Sequence, residues 1–172
     1  MQSTPSFPAF EAGAEVSARS WKIPESVLVV IHTADLDVLL IERADRPGFW
    51  QSVTGSKDVH DESLVDTCRR EVEEETGMVI DASAVPAAAL VDWQLASTYE
   101  IWPEWRHRYA PGVTTNTEHV FSLRVPRDTP VRLAPREHLA FEWLGFEAAA
   151  ARCFSPTNAE AIRQLPRRAV CF

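Results

Sequence analysis

Cysteine is scarce: Cys68, Cys153 and Cys171 are all that the chain offers for disulfides or thiolate chemistry. Their number is odd and their spacing fits no metal pattern, which argues against a disulfide framework and a zinc site. Cys68 reads as a residue packed on the core side of a helix rather than a catalytic thiol. No apolar run approaches the ~18 residues of a membrane span, so no membrane partner is expected. The N-terminus lacks a basic-then-apolar leader pattern, and the expected compartment is the cytoplasm. Positive charge is also short, with 17 Lys and Arg against 25 Asp and Glu and a net charge of −8. That balance argues against a general nucleic-acid binder. An anionic ligand would need local help from metal ions and a few basic side chains. Repeats and low-complexity tracts are absent. What is present is 172 residues with 45% apolar content, enough for one globular domain with a sizeable core.

Residues 1–20 are rich in Ser, Ala, Pro and Glu without periodicity, and read as a flexible arm ahead of a single domain over 21–172. The β-branched run 26–33 predicts a buried strand, with 38–42 as its hairpin partner. Residues 50–54 alternate and predict a third strand. A helix follows, capped by Asp61 or Ser63 and stopped by Gly77. Segments 88–102 and 117–125 read as an antiparallel pair joined by a loop over 106–116. A short strand at 141–144 and helices at 146–152 and 157–165 complete the chain, the last capped by Thr157 or Ser155. Strands flanked by helices give an α+β sandwich.

The informative stretch is Glu71-Val72-Glu73-Glu74-Glu75, four carboxylates in five residues. At ~100° per residue, with Glu71 as zero, Glu75 lies near 40° and Glu74 near −60°, while Glu73 lies near 200°. Val65, Cys68 and Val72 form an apolar stripe beside the carboxylate arc. Like charges at i,i+4 repel by a few tenths of a kcal/mol, unless a cation sits between them. Carboxylate oxygens are what Mg²⁺ and Mn²⁺ prefer. The plain alternative is a solvated acidic face with Arg69 and Arg70 as salt-bridge partners.

Read outward, this run resembles the Nudix box, Gly-x5-Glu-x7-Arg-Glu-U-x-Glu-Glu-x-Gly-U, where U is a bulky aliphatic residue. Glu62, Arg70, Glu71, Val72, Glu74, Glu75, Gly77 and Met78 fall in register. The match departs at its start, because the first glycine slot lands on Ser56 and the glycine is Gly55. The loop 56–61 is thus one residue longer than the pattern and has no internal glycine. Segments 49–56, 106–114, 137–141 and 158–162 resemble one bacterial branch of that family, the dihydroneopterin triphosphate diphosphatases of folate synthesis. The similarity runs from about Lys22 to about Leu165.

The resemblance implies the Nudix fold, a mixed β-sheet sandwiched between helices, and an enzyme hydrolysing a small-molecule triphosphate with Mg²⁺ or Mn²⁺. It implies Glu71 and Glu75 as principal metal ligands, with Glu74 ligating or bonding to bound water and Arg70 orienting the carboxylates. It points to Glu137 as the further carboxylate, a base or extra ligand, with Glu142 the competitor. Glu62 fits the box and equally fits a helix-start charge facing the macrodipole. For the substrate, Arg106, His107 and Arg108 cluster positive charge, and the alternative is a solvated loop. Lys22, Arg43, Thr54 and Ser155 match pocket positions of the branch. Tyr99, Trp102 and Trp105 could wall a flat ring, with core packing as the alternative. Two other functions stay open: a diphosphatase acting on canonical or oxidised nucleotides, and a non-catalytic Nudix module binding a nucleotide or pterin. Monomer and dimer are both open.

Overall fold

The β-branched run forms β1 (Glu25–His32), in which every residue after the first is buried. Such a continuous apolar strand has to be covered on both faces. The computed structural model describes residues 21–81 and 83–169; the expected arm over 1–20 lies outside them. β1 is antiparallel to β2 (Asp37–Arg43) and to β4 (Val53–Ser56), and parallel to β6 (Thr115–Arg124). β3 (Trp50–Gln51) and β7 (His138–Gly145) both pair with β2, and β5 (Leu90–Glu100) pairs with β6. The result is the mixed sheet expected.

Alternation along β1 assigns its two faces. Val27, Val29 and Ile31 pack with Cys68 and Val72 of α1 (Leu64–Thr76). Leu28 and Val30 pack with Ala149 and Ala150 of α2 (Phe146–Arg152) and with Ile162 and Leu165 of α3 (Pro156–Ala169). Helices therefore cover both faces. Burial pushes the Cys68 thiol far above its usual range, as expected of a core residue. Val65 does not join the stripe: it is 41% exposed, and Leu64 packs on the core instead. Val65 sits on the margin of the buried arc, in the helix's first turn. Among the described residues no helix is long and apolar enough to cross a membrane.

Three local expectations change. The strand expected over 50–54 is broken at Ser52, because β3 follows β2 while β4 switches to β1. Asn158 of α3 takes the place of the missing ladder bonds. Its Oδ1 accepts from the Ser52 amide at 2.8 Å and its Nδ2 donates to the Ser52 hydroxyl at 2.9 Å. The 106–116 loop begins inside a 3₁₀ helix (Pro103–Arg108). The strand at 141–144 extends back to His138.

Ser63, not Asp61, caps α1, accepting from the Asp66 amide at 3.0 Å, and Gly77 closes the helix with φ 69°. Ser63→Ala is expected to cost ~1 kcal/mol, lowering Tm by roughly 2–4 °C in a thermal melt. An unchanged Tm would mean that the cap contributes nothing.

Candidate active site

α1 lies against β4 with its carboxylate arc toward the sheet, so the site begins as a contact between acid and backbone. Gly55 makes that contact possible, since a Cβ built there would overlap the Glu71 carboxyl group. Arg70 then holds the acids in place. Its Nε and Nη2 grip Glu62 at 3.0 and 3.2 Å, its Nη1 donates to Glu71 Oε1 at 2.8 Å, and its Nη2 donates to the Ser56 carbonyl at 2.8 Å. The bidentate partner is thus Glu62, which also accepts from the Asp58 amide at 2.8 Å. These contacts go beyond a helix-start charge. They tie the longer 56–61 loop to the helix without an internal glycine. Glu74 is the outermost acid, 3.4 Å from Arg70 Nη1 and more than half exposed. Glu73 is exposed on the far side, as the helical angles predict.

Glu75 is only 5% exposed. Its Oε1 lies 3.1 Å from His138 Nε2, and its Oε2 accepts from the Thr54 amide at 3.4 Å. The His138 contact is an ion-pair approach rather than an aligned hydrogen bond, and neither ring nitrogen has a hydrogen-bond partner. Glu137 stands beside it, its backbone fixed by the Ala44 amide donating to its carbonyl at 2.8 Å. Among the described residues, Glu75, Glu137 and His138 bring three donor atoms within 4.8 Å of one another. Glu71 falls outside that group, because Arg70 takes its Oε1. Burial pushes the Glu71 carboxyl up to about 7, against the pull of Arg70, and repulsion from Glu75 and Glu74 adds to it. Burial raises Glu75 as well, with His138 opposing.

This donor set suits a divalent cation. Buried like charges and unpartnered ring nitrogens are unfavourable alone, and a cation among carboxylate oxygens relieves both. The hard oxygens match Mg²⁺ or Mn²⁺.

The acids floor a cavity of about 510 Å³, whose rim carries Lys22, Arg43 and Arg108. Lys22 reaches the rim because its amide donates to the Arg108 carbonyl at 2.9 Å. Burial, then repulsion from Arg108, lowers the Lys22 ammonium pKa. A second cavity of about 300 Å³ adjoins the first and shares Arg43, Thr54 and Tyr99 with it. Trp102, Trp105, Phe154 and Ser155 line this second cavity. Trp102 and Trp105 stack at 5.4 Å and 14°, with Arg46 over both rings. None of Tyr99, Trp102 and Trp105 is a buried core residue.

Arg106 and His107 do not join Arg108. Arg106 Nε donates to the Ile101 carbonyl at 2.9 Å, and His107 Nδ1 lies 2.7 Å from the Glu104 carbonyl. A 3₁₀ helix turns ~120° per residue, so three consecutive side chains cannot share a side. Glu142 pairs with Leu40 in the sheet and lies 3.6 Å from Arg152, away from the acids. Sequence reasoning missed His138, Asn116 and Glu118. Their signal was period two: Asn116, Glu118 and Val120 share the buried face of β6.

The chain belongs to the NUDIX family, whose domain matches residues 22–165. The chain is 43% identical over 145 residues to the dihydroneopterin triphosphate diphosphatase of Escherichia coli K12, covering 84% of this chain and 93% of that protein. The Haemophilus influenzae enzyme of the same name is 39% identical over 145 residues, covering 84% and 88%. The solved structure of the E. coli dihydroneopterin triphosphate pyrophosphohydrolase superposes with a TM-score of 0.76 over 84% of this chain and 95% of that one.

Proposed function

We propose that this Nudix hydrolase cleaves 7,8-dihydroneopterin triphosphate to dihydroneopterin monophosphate and diphosphate, with Mg²⁺, in the cytoplasm. The observation that carries the reading is the continuity of two unlike cavities. One has an acidic floor and a basic rim; the other is walled by aromatic rings. A triphosphate attached to a flat heterocycle fits both at once. The names of the similar E. coli and H. influenzae proteins support the same choice.

A bound divalent cation supplies Lewis-acid neutralisation of the phosphoanhydride and lowers the pKa of water. Glu71, Glu75 and Glu137 would hold it, with Glu74 at the outer edge. At ~4 Å and an effective dielectric near 20, each carboxylate–phosphate pair repels by about 4 kcal/mol. The acids alone would reject the substrate. Arg70 fixes the acids through its Glu62 clamp. Lys22, Arg43 and Arg108 bind phosphate oxygens. Glu137, the most exposed of the three inner acids, accepts the proton of the attacking water. Tyr99, Trp102, Thr54 and Ser155 bound the ring site. Residues 21–172 form the one catalytic domain.

Diphosphate release with Mg²⁺, measured across the pterin triphosphate and a nucleotide panel, tests this. The pterin should give the highest kcat/KM. Nucleotides turned over much better would remove the folate assignment and favour a nucleotide diphosphatase.

A further inference from the structure

Glu118 is a carboxylate that the catalytic reading does not use. It is 6% exposed on β6 and lies at the junction of the two cavities. Among the described residues, no cation pairs with it. Its neighbours are hydroxyls at the long end of hydrogen bonding: Tyr99 OH at 3.4 Å from Oε2 and Thr157 Oγ1 at 3.3 Å from Oε1. Good O–H···O bonds run about 2.5–3.0 Å. Two residues back on the same face is Asn116, 3% exposed. Its Nδ2 donates to Ser26 Oγ and Tyr99 OH at 2.7 and 3.1 Å, while its buried Oδ1 has no partner. The wall of the ring cavity therefore presents acceptors that the protein leaves poorly satisfied.

We propose that Glu118, with Asn116 beside it, selects substrates by accepting a paired N–H and NH₂ edge of the bound heterocycle. This inference rests on the triphosphate reading above and specifies its substrate class: 2-amino-4-oxo pyrimidine rings, as in pterins and guanine. A carboxylate accepts two parallel N–H donors in one plane. Adenine offers an acceptor next to its amino group, and hypoxanthine lacks the amino group. Either leaves a buried carboxylate oxygen unmatched, which is the costly outcome. Burial raises the Glu118 carboxyl while only two weak hydroxyl contacts oppose it, so ligand donors meet an under-solvated group. A carboxylate serving only to tie Tyr99 to Thr157 would have no effect on which base is chosen.

The test uses the full-length protein with Mg²⁺ and compares GTP with ITP, which differ only in the 2-amino group. Wild type should favour GTP on the order of tenfold or more in kcat/KM. Glu118→Gln should erase most of that ratio by raising the KM for GTP. Equal handling of GTP and ITP by wild type, or equal losses on both in the variant, would overturn the proposal. Should the variant fail to fold, competition of pterin against lumazine (a carbonyl in place of the 2-amino group) on wild type decides it. Weaker inhibition by lumazine supports the proposal, and equal inhibition sinks it. The two readings fail separately. If the pterin triphosphate is not hydrolysed but the GTP/ITP ratio collapses in E118Q, the folate assignment is lost and Glu118 keeps its role. If the pterin is hydrolysed and the ratio does not move, only the Glu118 inference is lost.

Discussion

Glu75→Gln is expected to lower kcat on the order of a thousandfold, while Glu73→Gln stays within about twofold of wild type. Each 1.36 kcal/mol of barrier is tenfold in rate, so the first figure is ~4 kcal/mol, within the several kcal/mol a Lewis acid contributes. The contrast follows from where one helix puts its acids. Glu75 is buried against Thr54 and His138 and lies beside Glu137, whereas Glu73 is exposed. A carboxamide keeps the shape of Glu75 but removes the charge that a cation needs. Glu71→Gln should resemble Glu75→Gln. Comparable losses at positions 71, 73 and 75 in steady-state assays would contradict the facing of the helix.

Gly55→Ala should cut activity about a hundredfold and leave Tm within a few degrees. The added methyl group would occupy the space of the Glu71 carboxyl. That carboxyl is the far end of a flexible side chain, so the fold yields cheaply by swinging it away. The chemistry does not yield as easily, because displacing a reacting group by ~1 Å can cost 10²-fold. A large fall in Tm with activity intact would show that Gly55 serves the backbone rather than Glu71. The same glycine explains why the box tolerates its late start. The helix needs a bare backbone opposite Glu71, and Gly55 supplies it one residue earlier than the pattern, with the extra loop residue taken up before Glu62.

How much of this was readable in advance depended on whether the signal was local. β1, the hairpin to β2, the bounds of α2 and the Gly77 stop follow from residue type and periodicity within a few positions. The placing of Glu73 apart from Glu71 and Glu75 follows from the turn angle alone. Ser52 breaks its strand because Asn158, far along the chain, replaces the ladder, and no window around residue 52 contains that fact. The Arg106 cluster looked convergent because charge counts ignore the turn type. His138 escaped notice because one histidine next to Glu137 is unremarkable until Glu75 is brought within 3.1 Å. Glu118 was visible as a lone acid on a buried strand face, but its unpaired state depends on three other elements.

Diffraction from crystals soaked in Mn²⁺, with anomalous differences recorded at the manganese edge, tests the central claim most directly. The account expects a manganese peak touching carboxylate oxygens of Glu71 and Glu75, with Glu137 turned toward it. Occupied crystals with no manganese there, and with those carboxylates engaged only by Arg70, Thr54 and His138, would contradict it.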